Sequence, residues 1–484
     1  VTTAGEITSV NPSRPDELIG RVGRAGPGEA DQAVSAARAA QPEWAARPPQ
    51  ERAEVLFRAA ELMRGRRAEL AAWEVLEAGK PWREADADVA EAIDYLEYYG
   101  REMLRLGSSR LLDEAPGEVN EYLYRPRGVA VVIAPWNFPL AILSGMASAA
   151  LVTGNAVILK PAEQTPVIAA QLHAILIEAG APPGAVHYLP GTGEEVGAYL
   201  VTHPHVDLIA FTGSRAVGLA IAETAGRTRP GQRGLKKVIA EMGGKNAIIV
   251  DDDADLDDVV RGVAASAFGY AGQKCSACSR AIVLAPILET FLRRLTEATR
   301  SLTVGPAEAP GTFVGPLIDA EARERVLKYL ATGLRESRLA LEVDVGGLGE
   351  GYFVGPAIFT EVSAEATIAQ EEIFGPVLSV MQAHEFEEAL ALANATPYAL
   401  TGGIYSRSPA HIAAAKAAFE AGNLYINRKI TGALVGRQPF GGFKMSGIGS
   451  KAGGPDYLLQ FLEPRTITEN TMRRGFAPTA PRHA

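Results

Sequence analysis

Between residues 128 and 159 the chain carries no charged side chain. A run of that length could cross a bilayer, so it must be either a membrane span or the inside of a large core. Its punctuation favours the core. Pro135, Asn137 and Pro139 interrupt it early, and Gly154-Asn155 interrupts it late. Between the breaks, the pattern predicts a strand at 129–134, a helix at 140–152 and a strand at 156–159. Short apolar strands beside apolar helices mark a parallel sheet covered on both faces.

The flanking sequence extends this pattern. Segments 29–40, 51–78 and 82–106 carry apolar residues at helical spacing. Segment 111–127 is strand-like, with alternation at Glu121-Tyr122-Leu123-Tyr124. Strands at 157–160, 186–189 and 208–211 precede helices at 165–180, 194–202 and 215–225, and a strand at 237–241 closes the run. Repeated strand–helix units predict a doubly wound α/β domain. A second α/β block begins near Gly243. It has strands at 247–250 and 280–284, and helices at 255–270, 286–300, 319–336 and 385–394. The Gly- and Pro-rich stretch 346–356 reads as a connection, and the polar tail after Thr471 as frayed.

A chain of 484 residues, 47% of them hydrophobic, buries a large core without disulfides or structural metal. Its two cysteines, Cys275 and Cys278, are too few for a disulfide scaffold. With a polar opening stretch and no leader-like apolar run, a reducing, cytoplasmic setting is expected, and no membrane association. The formal net charge of −10 argues against nonspecific nucleic-acid binding, which needs a positive field.

Cys275 lies in Gly272-Gln273-Lys274-Cys275-Ser276-Ala277-Cys278, at a helix-to-strand junction. Cys-x-x-Cys is also a redox spacing and half of a zinc site. No second cysteine pair exists, and His203 and His205 sit in a Pro-containing loop, so no metal is expected. Taken alone, the pair fits a nucleophile or an inert buried thiol; nearby Lys274 favours a thiolate only weakly. Glu241, in Glu241-Met242-Gly243-Gly244-Lys245-Asn246, ends a strand at a sharp turn, as a loop carboxylate or a general base. Asn137, in Pro135-Trp136-Asn137-Phe138-Pro139, fits a helix cap or an oxyanion donor. Phe211-Thr212-Gly213-Ser214 follows a strand and opens a helix, an anion site without the full Gly-x-Gly-x-x-Gly. Lys160 and Glu163, at a strand's carboxyl end, fit ribose-hydroxyl partners or a surface ion pair.

These motifs, taken in order with Glu371-Glu372-Ile373-Phe374-Gly375-Pro376, resemble the aldehyde dehydrogenase superfamily over nearly the whole chain. The spacings from Glu241 to Cys275 and from Cys275 to Glu372 fit that family. The resemblance implies an α/β, aldehyde dehydrogenase-like fold. A Rossmann-type NAD-binding domain would span 1–106 and 127–242, and an α/β catalytic domain 243–443. A β-strand oligomerisation flap would combine 107–126 with 459–470, giving a homodimer or higher homo-oligomer. It also implies Cys275 as nucleophile, Glu241 as general base, and Asn137 with the Cys275 backbone N–H as oxyanion hole. For NAD it implies Lys160 and Glu163 on the adenosine ribose, Gly213 and Ser214 at the pyrophosphate, Glu372 on the nicotinamide ribose and Phe374 near the nicotinamide. Glu163 would favour NAD over NADP by repelling a 2′-phosphate.

Two segments, 273–280 and 427–442, are similar to the Δ1-pyrroline-5-carboxylate (L-glutamate γ-semialdehyde) dehydrogenase branch of that superfamily. This implies an amino-acid semialdehyde as substrate, oxidised to L-glutamate in proline catabolism. Backbone N–H groups at Gly432 and Ala433 would cradle the carboxylate. Ser276 would add a hydroxyl beside the nucleophile, and Phe138 and Phe440 would wall the aliphatic segment. Glu91 would meet the ammonium, with a solvated helical charge as its competing reading; Cys278 would be structural. The alternatives are a dehydrogenase of another ω-semialdehyde such as succinate semialdehyde, a CoA-acylating enzyme, and a non-catalytic structural or binding protein on the same fold. The water-activating Glu241 speaks against the second, and intact Cys275, Glu241 and Asn137 against the third.

Overall fold

The computed structural model describes residues 3, 5–113 and 115–472. The tail expected to fray lies, beyond Met472, outside the described residues. The charge-free run folds as strand Val129–Ile133, helix Ala141–Val152 and strand Ala156–Lys160. Every residue of the second strand is buried, as is every residue of the helix except Ile142. Each fully buried Leu, Ile or Val is worth about 1.5–3 kcal/mol, which is why a charge is tolerated nowhere along the run. Among the described residues no helix is long and apolar enough to cross a membrane.

These strands centre a six-stranded sheet. Strands Lys237–Glu241, Leu208–Thr212, Val129–Ile133, Ala156–Lys160 and Val186–Tyr188 lie side by side in that order, all parallel. Gly447–Ile448 adds an antiparallel edge to the first of them. The chain runs outward from Val129–Ile133 in one direction, then returns to build the other, so the switch point lies where residues 134–140 leave the sheet.

A seven-stranded sheet holds the second core. From one edge its strands are Arg338–Glu342, Ala357–Thr360, Val377–Ala383, Cys278–Leu284, Asn246–Val250, Thr401–Tyr405 and Asn423–Ile426, and only the first is antiparallel. The third sheet pairs Leu462–Asn470 with Glu118–Pro126, and the latter with Arg110–Leu111, all antiparallel. Residues 463–470 are exposed, and among the described strands Leu462–Asn470 is the outermost of this sheet.

Several boundaries differ from the sequence reading. An antiparallel hairpin, Gly5–Asn11 with Arg14–Arg24, precedes the helices; its half-exposed strands gave no clear apolar alternation. The first helix continues through Pro42 to span Pro27–Ala46. The predicted helix 51–78 is two helices, Pro49–Gly65 and Arg67–Ala78, broken at Arg66 (φ −109°, ψ 15°) while the apolar stripe runs on across the break. The predicted strand 111–127 is interrupted before Glu118, where Gly117 takes φ +81°.

Candidate active site

Glu241 ends strand Lys237–Glu241 at the carboxyl edge of the six-stranded sheet, and Cys275 precedes strand Cys278–Leu284 at the amino edge of the seven-stranded one. One cavity lies between these edges. It is lined by both residues and by Glu91, Phe138, Ser276, Gly432, Ala433 and Phe440. Tyr95, Met146, Ile239 and Tyr457 complete much of its apolar wall, and none of them stood out in the sequence.

The Cys275 loop is held in a strained conformation. After helix Leu256–Phe268 the chain takes positive φ at Tyr270 (54°), Ala271 (53°) and Gly272 (67°). Non-glycine residues there persist only where surroundings over-determine them. The Tyr270 hydroxyl donates to the Ala78 carbonyl at 2.8 Å. At Gly272 a Cβ would stand 2.3 Å from the Gly375 carbonyl oxygen. A turn closed by Ala277 N–H to Lys274 C=O (3.0 Å) then presents Cys275 and Ser276 at its corner. Asn246 clasps this turn: its Nδ2 donates to the carbonyls of Cys275 (2.7 Å) and Ala277 (2.9 Å), while its Oδ1 accepts from Thr401 N–H (2.9 Å). A purely local reading of the glutamate motif gives Asn246 no such role.

Burial pushes the Cys275 thiol well above the ordinary cysteine value, and the nearby Glu241 and Glu372 carboxylates push it the same way. Lys274 does not offset this, against the weak expectation from the sequence: its ammonium is paired with Glu84 at 2.7 Å. Cys275 therefore rests as a thiol and needs a base to react. The Glu241 carboxyl is itself raised to about 8 by burial, with Lys451 pulling it back, which places it where a general base works best near neutral pH. Glu91 is raised to about 8, first by burial and then by repulsion from Asp88. Glu91 is half-buried and lines the cavity, which speaks against reading it as a solvated helical charge. Cys278 is buried, with its thiol pushed up to about 12 chiefly by that burial.

Asn137 is not a helix cap. Its Nδ2 donates to the Gln273 carbonyl at 2.9 Å, while the first N–H of helix Ala141–Val152 goes to Asp88 Oδ1 at 2.6 Å. The amide carries a second N–H beside the Cys275 loop.

The residues expected around NAD lie on the same two sheet edges. Lys160 and Glu163 pair at 3.0 Å at the carboxyl end of strand Ala156–Lys160. Exposed Ser214 caps helix Arg215–Ala225, its Oγ accepting from Val217 N–H, and Gly213 N–H donates to the Glu241 carbonyl at 3.1 Å. Glu372 Oε1 accepts from Gly244 N–H at 3.0 Å, and burial raises its carboxyl to about 7. Gly243 must be glycine for this approach: a Cβ there would lie 1.9 Å from Glu372 Oε2. Phe374 meets the Trp136 ring edge-on, centroids 5.5 Å apart, which joins this loop to the one carrying Asn137.

The acidic trio Asp251, Asp252 and Asp253 has carboxylates close enough together to hold a cation, but two of them are engaged in tying loops. Asp251 binds Ser406 Oγ (2.5 Å) and His411 Nδ1 (2.6 Å), and Asp253 accepts from Arg407 N–H (2.8 Å). The trio follows the carboxyl end of strand Asn246–Val250, opposite the end that faces the cavity.

Comparison with known proteins fits this geometry. The aldehyde dehydrogenase family model matches residues 1–467. The chain belongs to the aldehyde dehydrogenase family. Within the family it is 51% identical, over 97% of its length and 91% of the relative's, to 1-pyrroline-5-carboxylate dehydrogenase of Geobacillus thermodenitrificans. A crystal structure of 1-pyrroline-5-carboxylate dehydrogenase from Thermus with bound NAD superposes with a TM-score of 0.95 at 51% identity, covering 97% of this chain and 91% of that one. Proline utilization A from Bdellovibrio bacteriovorus, inactivated by N-propargylglycine, superposes with a TM-score of 0.97 at 51% identity over 99% of this chain. This chain spans 50% of the length of that protein.

Proposed function

We propose that the chain is an NAD-dependent dehydrogenase that oxidises L-glutamate γ-semialdehyde, the open form of Δ1-pyrroline-5-carboxylate, to L-glutamate in proline catabolism. It would act in the cytoplasm on a small molecule. The observation that carries the reading is the single cavity in which Cys275 and Glu241 face two further sets of groups. Gly432, held at φ +74°, and Ala433 offer backbone N–H groups for a carboxylate. Glu91 offers a carboxyl that an arriving ammonium would ionise. Phe138 and Phe440 suit the methylenes between them. The names of the similar enzymes from Geobacillus and Thermus support the same substrate.

The residues present fit NAD. Glu163 and Glu372 are acceptors suited to ribose hydroxyls, and the N-terminus of helix Arg215–Ala225, with Gly213 and Ser214, suits a pyrophosphate. Lys160 would join Glu163 on the adenosine ribose, and Phe374 would pack near the nicotinamide. Bound NAD supplies the hydride acceptor that converts a thiohemiacetal to a thioester.

The chain's own residues do the rest. Cys275 Sγ bonds to the aldehyde carbon, and its proton leaves to solvent. The resulting oxyanion would lie between the second Asn137 side-chain N–H and the Cys275 backbone N–H. After oxidation Glu241 takes a proton from water, the hydroxide adds to the thioester carbon, and the C–S bond breaks to release the carboxylic acid and the thiolate, the acid then giving its proton to the thiolate or to solvent. The test is NADH formation from Δ1-pyrroline-5-carboxylate against succinate semialdehyde and propanal. A site with a buried carboxyl waiting for an ammonium rejects a substrate lacking one, so kcat/KM should favour the first by roughly 100-fold or more. Equal rates would break the link from Glu91 to an amino-acid substrate. The same assay with NADP should give lower efficiency; equal efficiency would show that Glu163 does not repel a 2′-phosphate.

Among the described strands Leu462–Asn470 is outermost in its sheet, and its residues 463–470 are exposed, which supports a homo-oligomer in which another chain covers that strand. Sedimentation at micromolar concentration should give a dimer or larger; a monomer would contradict this.

A further inference from the structure

Helices Arg67–Ala78 and Trp82–Leu106 meet at a sharp joint, Gly79-Lys80-Pro81. Gly79 takes φ +63°, and a Cβ there would stand 2.8 Å from the Pro316 ring. The turn sends Lys80 inward, and Lys80, Glu74 and Asp88 are all fully buried. The ammonium is bonded to Asp88 and donates to the Asn137 carbonyl at 2.9 Å. It also sits 3.9 Å from the centroid of the Phe138 ring. The other oxygen of Asp88 accepts from Ala141 N–H at 2.6 Å. The pair thus grips the loop carrying Asn137 at its middle and where it enters the following helix. The same joint is tied to the Cys275 loop, through Tyr270 Oη to the Ala78 carbonyl and through Lys274 to Glu84.

Burial disfavours charge on Lys80, but the Asp88 and Glu74 carboxyls outweigh it and keep the ammonium charged. Glu74 is pushed well above the usual carboxyl range, chiefly by burial and then by Asp88. A buried ion pair contributes little net stability. What Lys80 supplies is direction, a donor fixed on one backbone carbonyl.

We infer that Lys80, held by Asp88, is a positioning residue that aims the Asn137 amide at the oxyanion and fixes the Phe138 ring beside it. The inference rests on the reading of Asn137 as oxyanion donor. Two reactions of Cys275 separate aim from general packing. Iodoacetamide alkylates the thiolate with loss of iodide and forms no oxyanion. 4-Nitrophenyl acetate acylates it through a tetrahedral oxyanion that expels 4-nitrophenolate. Lys80→Met combined with Asp88→Asn removes both charges and leaves an amide oxygen for Ala141 N–H. Losing the aim of one oxyanion donor should slow acylation by roughly 10- to 100-fold, with alkylation within about threefold of wild type. In an Asn137→Ala background the same pair should add no further slowing, because the two act through one group.

Acylation near the wild-type rate, equal loss in both reactions, or slowing that multiplies with that of Asn137→Ala would overturn the inference while leaving the oxyanion reading intact. If Asn137→Ala alone leaves acylation unchanged, the oxyanion reading fails and takes the inference with it. Lys80→Arg, which keeps the charge but displaces the donor, carries the same test should the double variant not fold: it should slow acylation selectively, and acylation at the wild-type rate would overturn the inference.

Discussion

Cys275→Ala should yield a folded protein that binds NAD with unchanged affinity and forms no measurable NADH from aldehyde. The expected loss in kcat is at least about 10⁴-fold, the scale seen when a covalent nucleophile is removed. Nothing nearby can substitute. Ser276 shares the turn, but a buried hydroxyl has far less tendency to ionise than a thiol, and its carbonyl is held by Thr401 Oγ1 at 3.2 Å. The fold should tolerate the change, because the clasp on this loop is made by main-chain carbonyls. Asn246 holds the oxygens of residues 275 and 277 whatever side chain stands at 275. NADH absorbance, with calorimetry for NAD, checks both halves. Turnover above about 1% of wild type would remove Cys275 from the role of nucleophile.

Glu241→Gln separates the two halves of the reaction. Without a base for water the acyl-enzyme should accumulate, giving a burst of about one NADH per subunit followed by turnover roughly 10²- to 10⁴-fold slower. In the wild type the carboxylate form of Glu241 grows as pH rises towards its raised value of about 8, so deacylation should climb across the same window. The variant should lose that rise. It should also react faster with iodoacetamide, because the Glu241 carboxylate is one of the groups holding the Cys275 thiol up. A slowed burst with normal deacylation would move Glu241 to the first half of the reaction instead.

Residues that meet the cavity from loops were legible in the sequence, some by motif and others by resemblance. Cys275 and Glu241 stood out by their own motifs, Phe138, Ser276, Gly432, Ala433 and Phe440 through the family resemblance, and all of them line the cavity. Glu91 was harder. It sits on an ordinary amphipathic helix, and only the packing of that helix against the charge-free segment turns its half-buried carboxyl towards the cavity. Lys80 and Asp88 were not legible, for a related reason. A lysine between Gly and Pro at a helix joint looks like a surface cation until tertiary structure closes over it. The parallel sheets were readable because burial on both faces forces continuous apolar strands. The amino-terminal hairpin was missed because it buries little and so imposes little pattern. The break at Arg66 escaped because the apolar stripe is continuous through it and only the backbone departs from helix.

The chain leaves one sheet at Glu241 and enters the next at Asn246, which itself grips the Cys275 turn. In between, Gly243 is pressed against Glu372, and a Cβ on Gly244 would stand 2.8 Å from the Cys275 carbonyl oxygen. Base and nucleophile are therefore joined by a short covalent link followed by one side-chain clasp. Through residues 242–245 and the Asn246 amide, a displacement of Glu241 is passed directly to the Cys275 turn.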